Sequence, residues 1–206
     1  MKKAIILFIA VLLIPVFGFA QNIENIENME YIAPFNDEVA AIKKDGQWAF
    51  INAEGNIVVN FRNDLVSTKT NDGNYPVFNN GRCIIAKEKN GISYFGYIDK
   101  TGKTVIEPKF LNATNFNDNK AIALELIKEE AGKNPILDKN IVYHNYFEVT
   151  IDLNGDILNY LNPKGVNVTL DEKFLSKPPT INAKFISKYL VSFKTNDNKF
   201  DIIKID

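Results

Sequence analysis

The sequence predicts an all-β fold: an antiparallel β repeat array, solenoid-like or propeller-like, of three to four short repeats. Three observations point there. An aromatic residue, a polar turn and an apolar run of strand length recur at residues 35–44, 78–87, 116–125 and 185–194. A second segment, apolar and aromatic, follows each copy at residues 45–55, 92–102, 146–155 and 198–205. Three of these second segments carry an Asx residue with glycine three positions on: Asn52/Gly55, Asp99/Gly102 and Asp152/Gly155. An Asx side chain bonds the backbone just ahead of it and glycine accepts a positive φ, so the pattern suits a tight turn between two strands. The alternative architecture is one irregular β-sandwich or open barrel.

The elements follow in order. Lys2 and Lys3 precede an apolar stretch at residues 4–17, and Gly18 and Ala20 fit the small-residue slots of a signal peptidase site. Residues 1–20 are therefore expected to be a signal peptide and residues 21–206 a single all-β domain. The apolar stretch is short for a hydrocarbon core of roughly 30 Å, so no integral span is expected in the mature chain. The expected location is the periplasm, the cell surface or the extracellular space. In the first repeat an apolar run ends at Lys43 and Lys44, a second holds Trp48 and Phe50, and a third holds Ile57 to Val59. The second repeat places Cys83 to Ile85, then Phe95 to Ile98, then Thr104 to Ile106 in the same order. The third places Ala121 to Leu124, then Tyr146 to Ile151, then Ile157 and Leu158. The fourth is truncated and ends on residues 198–205. β-branched and aromatic residues dominate these runs, as strands favour. Three irregular segments interrupt them: residues 67–75, 126–140 and 159–180. The second is expected to extend a hairpin or form a short helix. Insertions on a repeat scaffold are where binding specificity commonly resides.

These residues resemble the WG repeat family. Its unit runs Gly-x-Trp-Gly-Tyr-Ile-Asp-x-x-Gly, then Val-Ile, x-Pro-x-Tyr/Phe, and later Phe-x-x-Gly-x-Ala. Residues 91–123 match it with Gly91, Phe95 to Asp99, Gly102, Val105, Ile106, Pro108, Phe110, Phe116, Ala121 and Ala123. Residues 46–59 match it with Gly46, Trp48 to Asn52, Gly55, Val58 and Val59. The match is good over residues 35–125 and weak over 146–206. The namesake dipeptide is altered in both copies, to Trp48-Ala49 and Phe95-Gly96. The resemblance implies an all-β repeat scaffold, often exported, with no general catalytic motif and an open choice of ligand.

Composition narrows the chemistry. The 206 residues are 46% apolar and 24% charged, with a formal net charge of −1. A basic surplus to neutralise phosphates is lacking, and two of the 24 basic residues are arginine, so no nucleic-acid partner is expected. One histidine and one cysteine leave no set for a classical zinc site. Cys83 lies in an apolar run and is expected to be buried. His144 lies in an aromatic run and reads as a strand or loop residue. Asp152 to Asp156 resembles a calcium loop, but the sixth and twelfth positions hold Ile157 and Pro163, so the hairpin turn is the better reading. No phosphate-binding glycine loop and no nucleophile elbow is present, and no cofactor is expected.

Two groups of candidate residues remain. Tyr75, Tyr94, Tyr143, Tyr146 and Tyr160 fall near loops or insertions, where exposed rings stack on sugars or anchor a protein contact. Glu125, Glu129, Glu130, Asp138 and Glu148 lie in or beside the second irregular segment and could supply a carboxylate pair for an envelope hydrolase. The sequence favours a non-enzymatic binding module for an envelope protein or glycan over that hydrolase, and over a purely structural envelope component. Whether the chain is an enzyme is left open, with no catalytic, metal or cofactor residue assigned.

Overall fold

The computed structural model describes residues 26–134, 139–195 and 197–205. The expected signal peptide at residues 1–20 and the candidate Asp138 lie outside them. Strands dominate the described chain: β1 (Tyr31–Ile32), β2 (Val39–Lys44), β3 (Gln47–Asn52), β4 (Ile57–Arg62), β5 (Thr68–Lys69), β6 (Asn74–Tyr75), β7 (Cys83–Lys89), β8 (Ile92–Ile98) and β9 (Thr104–Phe110) come first. There follow β10 (Ala121–Asn134), β11 (Lys139–Ile151), β12 (Ile157–Tyr160), β13 (Val166–Val168), the one-turn helix α1 (Glu172–Leu175), β14 (Ala183–Ser187), β15 (Leu190–Lys194) and β16 (Phe200–Lys204).

Among the described residues, four antiparallel sheets of three or four strands succeed one another in chain order, β1-β2-β3-β4, β7-β8-β9, β10-β11-β12 with β13 on β11, and β14-β15-β16, beside the two-stranded β5-β6. Among the described residues no sheet closes on itself. Each of the first three contains the strand–turn–return strand read from the sequence. The turns are alike. Gly55, Gly102 and Gly155 sit at φ +83°, +82° and +83°. Their N–H groups donate to the carbonyls of Asn52, Asp99 and Asp152 at 3.0, 2.9 and 3.0 Å. The Asx Oδ1 atoms accept from the N–H of Asn56 (2.8 Å), Lys103 (3.1 Å) and Asp156 (2.9 Å). The Asp152 loop is thus a turn like its two sisters. Before each first strand stands a second, tighter reversal, closed by bridges at Asn36/Val39, Asn79/Arg82 and Asn117/Lys120.

The apolar runs are continuous because the first strand of a unit is covered on both faces. Successive side chains of a strand point to opposite faces. Cys83 and Ile85 of β7 pack with Phe50, Val59 and Phe78, whereas Ile84 packs with Tyr97, Ala121, Ala123 and Val149. In β10, Ala121 and Ala123 face back to the second sheet and Ile122 faces Ala183, Val191 and Ile205 of the fourth. The core therefore lies between successive units. Aromatic edges lock it: Phe50 meets Phe78 with ring centroids 4.6 Å apart, and Tyr97 meets Phe116 at 4.8 Å. Polar staples add to it. Arg62 donates to the Gly102 carbonyl at 2.9 Å and Arg82 to the Leu153 carbonyl at 3.1 Å, so both arginines tie one unit to the Asx turn of the next. Cys83 is fully buried, and that burial pushes its thiol pKa well above the usual range.

The irregular segments take form around this array. Residues 67–75 hold the short β5/β6 hairpin. Residues 126–134 and 139–140 extend β10 and β11 into a long hairpin. Residues 159–180 carry β13, which pairs with residues 144–146 of β11, and α1, capped by the Asp171 side chain on the N–H of Lys173.

Candidate functional site

The long hairpin presents two faces, set by register. Glu125 pairs with Phe147, Ile127 with Asn145 and Glu129 with Tyr143, so these six share one face. Leu126, Lys128, Tyr146 and His144 share the other. The second face turns inward along part of its length: Leu126 and Tyr146 pack with Leu124, Ile92, Leu111 and Leu175. The first face emerges from the core beyond Val149 and becomes accessible. Tyr160 of β12 pairs with Val149 and joins it from the side.

Hydrogen bonds organise that face into a ladder of tyrosine hydroxyls on carboxylates. Tyr160 Oη donates to Glu125 Oε2 at 2.7 Å, and Tyr143 Oη donates to Glu129 Oε2 at 2.6 Å. Asn145 Nδ2 donates to Glu129 Oε1 at 3.0 Å, and Asn167 Nδ2 of β13 reaches Asn145 Oδ1 at 3.4 Å. The Tyr143 and Asn145 bonds hold the Glu129 carboxyl below the usual range, and the same Glu129 bond holds the Tyr143 hydroxyl above it. Tyr160 is raised in the same way by donating to Glu125. The Phe147 ring stands edge-on to Tyr160 at 5.6 Å. Gly165 lies so close to Phe147 that an added Cβ would sit 2.7 Å from the ring, which keeps the β12–β13 connection tight against this face. Tyr143 and Tyr160 remain 38% and 50% exposed.

The five candidate tyrosines thus separate. Tyr143 and Tyr160 share the accessible face. Tyr146, one position out of phase, points into the core behind it. Tyr94 lines an open groove of about 450 Å³ with Lys87, Glu107 and Pro108, a different location. Tyr75 is buried beside Tyr31 in the first core, with ring centroids 5.7 Å apart. Phe147, Asn145 and Asn167 belong to the face and were not singled out by sequence. The alternation Tyr143, Asn145, Phe147 against Glu125, Ile127, Glu129 is the signal that identifies them once a long hairpin is assumed.

The carboxylates separate too. Glu148 lies opposite Leu124 on the inward side of the ribbon, while Glu125 lies outward. Glu148 is 1% exposed and occupied. Its Oε1 accepts from Asn182 Nδ2 at 3.0 Å and its Oε2 from the N–H groups of Asn182 (3.0 Å) and Ala183 (2.9 Å). It clamps the fourth sheet onto the third. Glu125 and Glu148 therefore do not face one cleft as a hydrolytic pair requires. Among the described residues, no group of three or more His, Cys, Asp or Glu side chains is gathered to hold a metal, and no helix is long and apolar enough to cross a membrane.

Comparison with curated proteins and with solved structures finds no significant match. The family model of the WG containing repeat matches residues 30–48 and 95–125. Those stretches cover β1, β2 and the start of β3 in the first sheet, then β8 from Phe95 through β9 into β10. They hold Trp48 and Phe95-Gly96-Tyr97, whose rings pack against the array. With that match laid on these strands and turns, the chain is an all-β protein of which residues 30–48 and 95–125 are similar to the WG containing repeat.

Proposed function

We propose that this chain is a non-enzymatic interaction module of the cell envelope or the cell exterior, and that it binds a glycan on the outward face of the β10/β11 hairpin. The observation that carries the reading is the convergence of Tyr143, Tyr160, Glu125, Glu129 and Asn145 on one accessible face of an insertion. Ring edges, carboxylates and a side-chain amide are the partners a polyhydroxylated ligand uses. The export half of the reading rests on Lys2, Lys3 and the apolar stretch before Gly18 and Ala20. A protein partner is the second reading, favoured by the exposure of both tyrosines, since tyrosine is a frequent anchor at protein interfaces.

The test is calorimetric titration of the protein with a panel of soluble envelope glycans, alongside a Tyr143→Ala/Tyr160→Ala double variant checked for retained β structure. Binding of a panel member that the variant weakens by about tenfold or more supports the proposal. Silence across the panel, or binding that the variant leaves unchanged, overturns the glycan assignment.

A further inference from the structure

The outer face of the β14-β15-β16 sheet occupies a place that is covered in every earlier unit. Counted from the reversal before each first strand (Asn36/Val39, Asn79/Arg82, Asn117/Lys120 and Ser187/Leu190), which shifts the fourth unit by one residue from its sequence alignment, Ser192 and its cross-strand partner Ile202 correspond to Ala41 and Phe50, Ile84 and Tyr97, and Ile122 and Thr150. Those six residues are buried beneath the following unit, whereas Ile202 is 68% exposed and its neighbour Phe200 66% exposed. They are the two most exposed large apolar side chains among the described residues. The register sets Lys194 beside Phe200, Lys184 beside Ser192, and Lys204 beside Leu190 on the same face. None of the three lysines meets a carboxylate among the described residues. Asp201 belongs to the opposite face, and Asp197 is paired with Lys199 at 2.9 Å in the β15–β16 turn. The face is thus apolar at its centre and cationic at its rim.

The charge decides what fits it. A second copy docked through the same face would set lysines against lysines, an arrangement that like-charge repulsion opposes. Ser192 stands where the earlier units present Ala41, Ile84 and Ile122 to the unit that covers them. A flat anionic surface with an apolar interior satisfies both features: lysine stems lie along the apolar patch while their ammonium groups reach the headgroups, and Phe200 and Ile202 enter the acyl boundary. We propose that the outer face of the fourth sheet docks on an anionic lipid bilayer, independently of the glycan reading of the hairpin face.

Flotation of the protein with vesicles tests this. One set is phosphatidylcholine alone and the other contains about one third phosphatidylglycerol. The apolar stretch at residues 4–17 is common to every chain compared, so the readout is the difference between chains. Two variants are compared with the parent after confirming unchanged β structure: Phe200→Ser/Ile202→Ser, and Lys184→Glu/Lys194→Glu/Lys204→Glu. The parent is expected to prefer the phosphatidylglycerol vesicles and to lose that preference as salt rises. The triple charge reversal is expected to weaken the anionic-vesicle binding by about 100-fold or more, and the double serine variant to weaken binding while leaving its salt dependence in place. Equal partition of parent and both variants overturns the proposal. So does binding to soluble polyglutamate without binding to phosphatidylglycerol vesicles, which would assign the face to an acidic protein instead.

Discussion

Gly96 shows what one residue does for this repeat. A Cβ built there would lie 2.3 Å from the Ile106 carbonyl oxygen and 2.7 Å from the Pro108 nitrogen. The cause is a bulge: Phe95 pairs with Phe110 but Tyr97 pairs with Ile106, so β9 carries extra residues opposite Gly96. In the first unit the slip is smaller, from Trp48/Arg62 to Phe50/Val59, and Ala49 fits there fully buried. The glycine of the namesake pair is thus demanded by the size of the bulge beside it. Gly96→Ala is expected to lower stability by about 2–3 kcal/mol, read as a shift in the urea midpoint. Ala49→Gly is expected to cost about 1–2 kcal/mol, through backbone entropy and the lost burial of its methyl group. Equal tolerance at both positions would defeat the explanation.

At the scale of elements, the third unit is where specialisation occurs. Its first two strands share the core positions of the other units at 121–124 and 148–151 and then run on into the long hairpin. The inward face of that hairpin is anchored by Leu126, Tyr146 and Leu175, and the outward face is left for the tyrosine and carboxylate ladder. Glu148 fastens the same unit to the next by accepting the N–H groups of Asn182 and Ala183 in a buried setting. Removing the carboxylate strands the buried Ala183 N–H without a partner and frees the more exposed Asn182. Glu148→Ala is expected to cost about 2–4 kcal/mol and to speed amide exchange at residues 182 and 183 first. Unchanged protection at those two amides would show that the clamp is not what holds β14 in place.

Across the whole molecule, stability is a chain of neighbour contacts. The first cluster joins the first two sheets, the second joins sheets two and three, and the third joins three and four. Such an array behaves as units plus interfaces, and a lesion is felt most by the unit it touches and the next one along. Phe78 fills the first interface, fully buried against Phe50. Phe78→Ala is expected to cost about 3–5 kcal/mol and to raise amide exchange in β2, β3 and β7 well before β15. Uniform loss of protection throughout would mean that the four sheets unfold as one cooperative block.

Much of this was readable in the chain itself. Local chemistry determined the strands, the Asx turns, the four-fold recurrence and the burial of Cys83, because turn residues and apolar runs act over a few positions. The continuous runs at Cys83 to Ile85 and Ala121 to Leu124 even carried the mark of strands covered on both faces. The grouping of side chains was decided by tertiary structure. Register put Tyr143 and Tyr160 on one face and Tyr146 behind it, and a one-residue change of phase separates those outcomes. Glu125 and Glu148 looked like possible partners in sequence, yet register places them on opposite sides of one ribbon. Tyr75 looked like a loop residue until β5 and β6 folded its ring against Tyr31. Sequence spacing records which strand a residue occupies, whereas the partner across the sheet and the neighbour in the next unit exist only once the chain has stacked.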